Sequence, residues 1–324
     1  MTQTKDLQSN VITFLRFPLI MGVLFIHNYS STPTIPGAEF GIGENIPIFY
    51  ACSELFSQVL GSISVPLFFF ISGFLFFQNI DGFTKYDYTR KLKRRGKTLL
   101  IPYLFWNITV LLTYCIAQSI PALNAWFNNK IDYNLQYLLQ TMWSMDNGYP
   151  IAYQFWFIRD LMAAVILTPV IYFFVRKAKV YGVLLLGVLW YFGWWLGGFI
   201  IDCGLSIVAV FFFSAGAWFG INKRNFIDDI GKVRYWSFIL YPLLALADLL
   251  TKRYAVNIFI HNAGIIIGIV FWVNFVAYLL RTGKTGVNRF LASASFFVFA
   301  IHDPLMLRES KKILYALFNP QSDL

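Results

Sequence analysis

One feature limits this chain before any other: apolar runs long enough to cross a lipid bilayer recur along its whole length. A spanning helix needs about 20 mostly apolar residues, because the hydrocarbon core is about 30 Å thick and a helix rises 1.5 Å per residue. Such runs place helices at about 12–29, 58–78, 98–118, 155–175, 180–200, 205–221, 235–250, 256–280 and 290–307. A tenth segment, Ile313 to Phe318, is too short to span and suits the interface. The expected fold is all-α: a polytopic transmembrane bundle of about nine or ten helices, forming a single domain over 1–324. Composition agrees, with 58% hydrophobic and only 13% charged residues, where a soluble domain has roughly 25% charged. A soluble chain this apolar would expose aggregating patches. The first residues, Met1 to Asn10, are polar and lack the short apolar stretch and cleavage site of a signal peptide, so the first run is read as a retained helix.

The net charge of +10 has a membrane explanation. With the N-terminus cytoplasmic, 18 Lys and Arg residues fall on inner segments and six on outer ones. Inner loops of membrane proteins carry the excess of basic residues, which favours this orientation. The expected location is a cell membrane, a bacterial inner membrane, crossed several times. The lipid bilayer is the first partner, and nucleic acid is not expected. The first outer loop, about 30–57, carries Glu39, Glu44 and Glu54 and no basic residue. Cys52, Cys115 and Cys203 show no metal-binding spacing; a Cys52–Cys203 disulfide is conceivable, since both lie outside.

An ionisable group inside a span costs several kcal/mol unless it meets water or a partner. The first helix holds two, Arg16 and His27. Eleven residues make about three full turns, so both share a face, about 16 Å apart along the axis. Arg16 could merely snorkel to lipid phosphates and His27 merely pack; alternatively, their face lines a path through the bilayer. A histidine titrates near neutral pH and suits general-base work. Arg159 and Asp160 fall near the outer end of the fourth helix, His302 and Asp303 toward the outer end of the ninth, and His261 beside an outer loop. Each also has a plain reading: an interface ion pair, a structural histidine, a solvated residue. The basic run Lys91 to Lys97, which includes Arg95, anchors an inner surface or docks a polyanion such as coenzyme A through charge-assisted bonds. Small residues in helix two, among them Ser72 and Gly73, suit close helix packing. No Walker loop, GxSxG or HExxH occurs, and no metal site is expected.

Several of these pieces together resemble the membrane-bound acyltransferase-3 family. Phe14-Leu-Arg16, followed after ten residues by His27, is similar to its arginine–histidine signature. Val65 to Phe74 resembles an aromatic run ending in Ser-Gly, and Lys93 to Tyr103 resembles the basic entry to helix three. In that last stretch Arg95-Gly-Lys97 stands where the family often has Arg-x-Arg. Phe155 to Asp160 resembles the Trp-Phe-x-Arg element, and Ser295 to His302 the C-terminal histidine motif. The resemblance implies an O-acyltransferase with no bound cofactor. It would move an acyl group, often acetyl, from cytoplasmic acyl-CoA to a hydroxyl of an extracytoplasmic or lipid-linked carbohydrate, alongside polysaccharide-biosynthesis proteins. It implies function for Arg16 and His27. On this reading the CoA nucleotide docks at Arg95, Lys97 and Arg16, and its arm reaches toward His27. His27 deprotonates the acceptor, while Arg159, Asp160 and His302 hold substrate. An acyl-histidine relay fits the same residues. The rival reading is a transporter or flippase, since buried Arg, His and Asp also line solute paths, although no internal repeat is visible.

Overall fold

The computed structural model describes residues 2–29, 47–127, 130–145, 148–193 and 204–318. Most of the first outer loop, with Glu39 and Glu44, lies outside them. So does Cys203, and with it the conceivable disulfide.

The chain is an all-α bundle. Among the described residues, five helices are long and apolar enough to cross a membrane: α1, Leu7–His27; α2, Tyr50–Phe77; α3, Lys85–Ser119; Asn257–Arg281; and Arg289–Leu314. A sixth is reached if two helices bent by 65° count as one broken span. Between α3 and the bent pair lie two short helices, α4, Pro121–Phe127, and α5, Leu135–Thr141. The bent pair is α6, Trp156–Ile166, and α7, Thr168–Phe192. Then come α8, Ile207–Ile221, α9, Phe226–Gly231, and α10, Arg234–Thr251. The fourth and fifth long helices are α11 and α12.

The ends of these helices are written locally. Thr84 caps α3 with a capping box: its hydroxyl accepts from the Asp87 amide at 3.1 Å, and Asp87 reaches back to Thr84. Asn134, Ser206 and Asn288 cap α5, α8 and α12 more simply, each side chain accepting from one first-turn amide.

The spans expected at 155–175 and 180–200 are separated by a turn at Lys179, whose φ is +53°. The turn is sharp, because a Cβ on Gly182 would lie 2.9 Å from the Phe174 ring. Eight residues of straight helix would hold those two about 12 Å apart. α8 is shorter than a span because it starts deep: the Asp160 carboxylate, within the second turn of α6, accepts from the amide of Ser206 just before it.

Glycine sets the tightest contact. A Cβ on Gly216 would sit 1.8 Å from the Phe70 carbonyl oxygen, and one on Gly73 would sit 2.0 Å from that of Phe213. No other residue allows α2 and α8 to approach this closely, as the small residues of helix two suggest. Phe69, Phe74, Phe77 and Phe213 fill the space around this contact, all fully buried. At the end of the bundle away from His27, Lys223 pairs with Asp81 and Arg224 with Asp229. The Arg224 guanidinium and Lys232 hold the Asp229 carboxyl down to about 2.

One expectation changes in kind. The helices expected at 98–118 and 155–175 leave 119–154 as a connection on the outer side, yet part of this segment runs down the side of α3. The Gln118 side chain holds both the amide and the carbonyl of Ile131, at 2.6 and 3.1 Å. The Tyr103 hydroxyl holds the Met142 carbonyl at 2.6 Å, and Asn107 accepts from the Ala152 amide at 3.1 Å. Gln118 and Tyr103 are about 22 Å apart along the helix. The chain from Ile131 to Met142 therefore descends beside the apolar stretch of α3, and Ala152 is held one turn from Tyr103. Irregular backbone can lie there only if protein groups satisfy its amides and carbonyls. Tyr103 and Asn107, both buried, do so.

Candidate active site

Four residues of α1, at steps of four, three and four, face one cavity: Arg16, Ile20, Val23 and His27. The helical period puts them in one stripe. The cavity holds about 720 Å³. One end is cationic, with Arg16 joined by Lys91, Arg94 and Arg95 of α3. The far end carries His27 and Gln154. Between them the walls are largely apolar, from Phe68 and Leu75 of α2, Phe157 and Leu161 of α6, and Phe296 of α12. Arg16 and His27, placed on one face by their spacing, thus stand at opposite ends of a single cavity. Lys97 is exposed and is not among the lining residues, whereas Lys91 and Arg94, read with the basic run, do line it.

At the far end the polar groups form a chain. His27 Nδ1 lies 3.1 Å from the Tyr153 hydroxyl, which in turn donates to Asp303 Oδ2. That hydroxyl has one proton and gives it to Asp303, so toward His27 it accepts. His27 Nδ1 therefore carries the imidazole proton, and Nε2 keeps the free lone pair. Tyr153 also packs edge-on against the His27 ring at 5.0 Å.

His302 stands beside this chain, its ring 5.1 Å from that of His27. Its Nδ1 lies 2.5 Å from the Phe299 carbonyl, which can only accept. The proton is thus on Nδ1. Nε2 is buried and finds no hydrogen-bond partner among the described residues, and the same holds for Gln154 Oε1 and Asp303 Oδ1. Gln154 donates to the carbonyls of Ala300 and Asp303, tying the α6 entry to the middle of α12.

Arg159 and Asp160 are buried but absent from the cavity wall. The Arg159 guanidinium donates to Asp160 at 3.1 and 3.2 Å and to the carbonyls of Trp143 and Gly148 at 2.9 and 2.8 Å. Those carbonyls belong to the bottom of the descending segment. The pair clamps this segment and the start of α8 to α6. His261, read as a residue beside an outer loop, is instead paired at 2.8 Å with buried Asp248, which also meets Lys252 at 3.1 Å.

Tyr153 and Gln154 were not singled out in the sequence. The signal available was a polar pair at the junction of an irregular segment and an apolar helix, directly before the Phe155-Trp156 element. Nothing in the sequence says that Tyr153 meets residues 126 and 150 positions away.

The arrangement joins a polyanion-sized cationic mouth to a histidine with a free nitrogen. Comparison with known proteins names the chemistry. A family model described as an acyltransferase domain matches residues 10–315. The chain belongs to the acyltransferase-3 family. A curated relative, the succinoglycan biosynthesis protein ExoH of Rhizobium meliloti (strain 1021), is 26% identical over 169 residues. That match covers 51% of this chain and 43% of the relative, so it spans less than half of that protein's length. No solved structure matches. Family membership and several membrane-length apolar helices together fit a multi-pass membrane protein.

Proposed function

We propose that the protein transfers an acyl group, acetyl in the first instance, from acyl-CoA to a hydroxyl of a polysaccharide or its lipid-linked precursor. The observation that carries this is the single cavity with cations at one end and the His27–Tyr153–Asp303 chain at the other. Coenzyme A is a polyanion on a long, thin, mostly neutral arm. Its phosphates suit Arg16, Lys91, Arg94 and Arg95, where each charge-assisted bond is roughly twice as strong as a neutral one. Its arm suits an apolar channel. Eleven residues of α1 set the span from Arg16 to His27 at about 16 Å, roughly half the hydrocarbon thickness.

In this reading the basic end faces the cytoplasm of a bacterial cell, where acyl-CoA is made, and the His27 end faces outward. His27 Nε2 is the reacting nitrogen. Tyr153 and Asp303 hold the ring in the productive tautomer and stabilise the positive charge it gains. Arg159 and Asp160 act by holding the segment that delivers Tyr153. The carbohydrate acceptor is supported by the relative's place in succinoglycan biosynthesis.

The test is label transfer. Membranes containing the protein, given [14C]acetyl-CoA, should pass label to glycan, and His27→Ala should lower the rate at least about 100-fold, the usual scale for a positioned acid–base group. A His27→Ala protein that is folded and transfers label at the wild-type rate refutes the assignment.

A further inference from the structure

Only one of the two histidines lines the cavity. His27 lines the cavity that opens at the cationic end, and His302 does not. A thioester carried along that cavity meets His27 first. His302 is off the cavity wall, its ring 5.1 Å from that of His27, buried, with its proton committed to the Phe299 carbonyl. Its Nε2 is an unprotonated base without a partner among the described residues. If His27 alone served as base for a direct attack, a second bare imidazole nitrogen would have no task there. Leaving a buried polar group unpaired costs about 1–3 kcal/mol, which calls for an explanation.

From this geometry we propose a double displacement in which His27 is the nucleophile and His302 the base of the second half-reaction. The proposal rests on the acyl-CoA reading above. In the first half, His27 Nε2 attacks the thioester carbonyl, a C–N bond forms, and the C–S bond breaks. CoA leaves as the thiolate and takes a proton from water at the cationic mouth. The acylated ring is now cationic. Its Nδ1 proton passes to the Tyr153 oxygen as Tyr153 passes its own to the Asp303 carboxylate, leaving a neutral acyl-imidazole. In the second half, the acceptor hydroxyl gives its proton to His302 Nε2 while its oxygen attacks the acyl carbon. The C–N bond breaks, and His27 regains its Nδ1 proton from Asp303 through Tyr153. His302 then releases its proton to water. The sum is thioester plus alcohol giving ester plus thiol. The acyl group crosses on His27, so donor and acceptor never need to occupy the site together.

The first half-reaction can be tested without an acceptor. Purified full-length protein in lipid nanodiscs is incubated with [14C]acetyl-CoA and free [3H]CoA, and the appearance of tritium in acetyl-CoA is measured. Glycan labelling is measured in parallel with the same preparation in membranes. The wild type is expected to catalyse exchange. His27→Ala is expected to lose both exchange and glycan labelling. His302→Gln is expected to keep exchange within about threefold, to lose glycan labelling, and to accumulate label on the protein at His27. Retained exchange also shows that this variant is folded. Glycan labelling by the wild type without any exchange would overturn the double displacement and leave the transferase reading intact. Equal loss of exchange and labelling in a folded His302→Gln protein would overturn the role of His302. Failure of the wild type in both assays would overturn the acyl-CoA reading itself.

Discussion

Removing one oxygen from Tyr153 isolates the polar chain from everything else in the site. Tyr153→Phe keeps the ring that packs against His27 at 5.0 Å. It deletes the hydroxyl that lies 3.1 Å from His27 Nδ1 and that donates to Asp303. In the resting enzyme the His27 bond joins two neutral groups and is worth about 1 kcal/mol. During reaction His27 becomes positive, and the same bond becomes charge-assisted, worth about 1.5–3 kcal/mol. Only the part gained in the transition state raises kcat. The gain of about 0.5–2 kcal/mol should therefore appear in kcat as roughly a 2- to 30-fold fall, since each 1.36 kcal/mol is tenfold. Tyr153 is not part of the donor cavity wall, so the KM for acyl-CoA should stay within about twofold. Initial rates of label transfer over a range of acyl-CoA concentrations separate the two parameters. Asp303→Asn should act on the same chain, and the double variant should be no worse than the more severe single one, because the residues work as a unit. A Tyr153→Phe protein with wild-type kcat, or with a raised KM alone, would refute the chain as a catalytic device.

The remaining predictions address the mouth and the scaffold. Arg16→Ala and Arg95→Ala should each raise the KM for acyl-CoA by about 10-fold with little change in kcat, as removal of one charge-assisted phosphate contact demands; titration of initial rate against donor reads this directly. Lys97→Ala, at an exposed position off the cavity wall, should change that KM less than either. Arg159→Gln leaves Asp160 buried without its ion-pair partner and should destabilise the protein by about 3–5 kcal/mol, visible as a lowered melting temperature in detergent, with kcat falling as the segment carrying Tyr153 loosens. Gly216→Val drives a side chain into the Phe70 carbonyl and should cost about 1–3 kcal/mol or more, seen as reduced yield of folded protein by size-exclusion chromatography.

Much of this molecule is legible in one dimension. Apolar runs of membrane length announce an all-α membrane protein because lipid accepts backbone only when its own hydrogen bonds are made locally, and a helix does that without distant partners. The eleven-residue spacing of Arg16 and His27 announces a shared face for a similar reason: the helical period belongs to the backbone and needs no neighbour. The caps at Thr84, Asn134, Ser206 and Asn288 are equally local. Tertiary structure decides what lies opposite those faces. That Tyr153 joins His27 to Asp303, that the His302 ring packs beside that of His27, and that Lys91 and Arg94 line the mouth while Lys97 does not, all depend on how helices far apart in sequence pack. So does the work of Arg159 and Asp160, which looked like substrate contacts and instead hold a descending segment in place. An apolar run states that a helix exists. Which side chains it presents to which neighbours is a property of the packed bundle, set by close approaches such as Gly73 and Gly216 that no single helix contains.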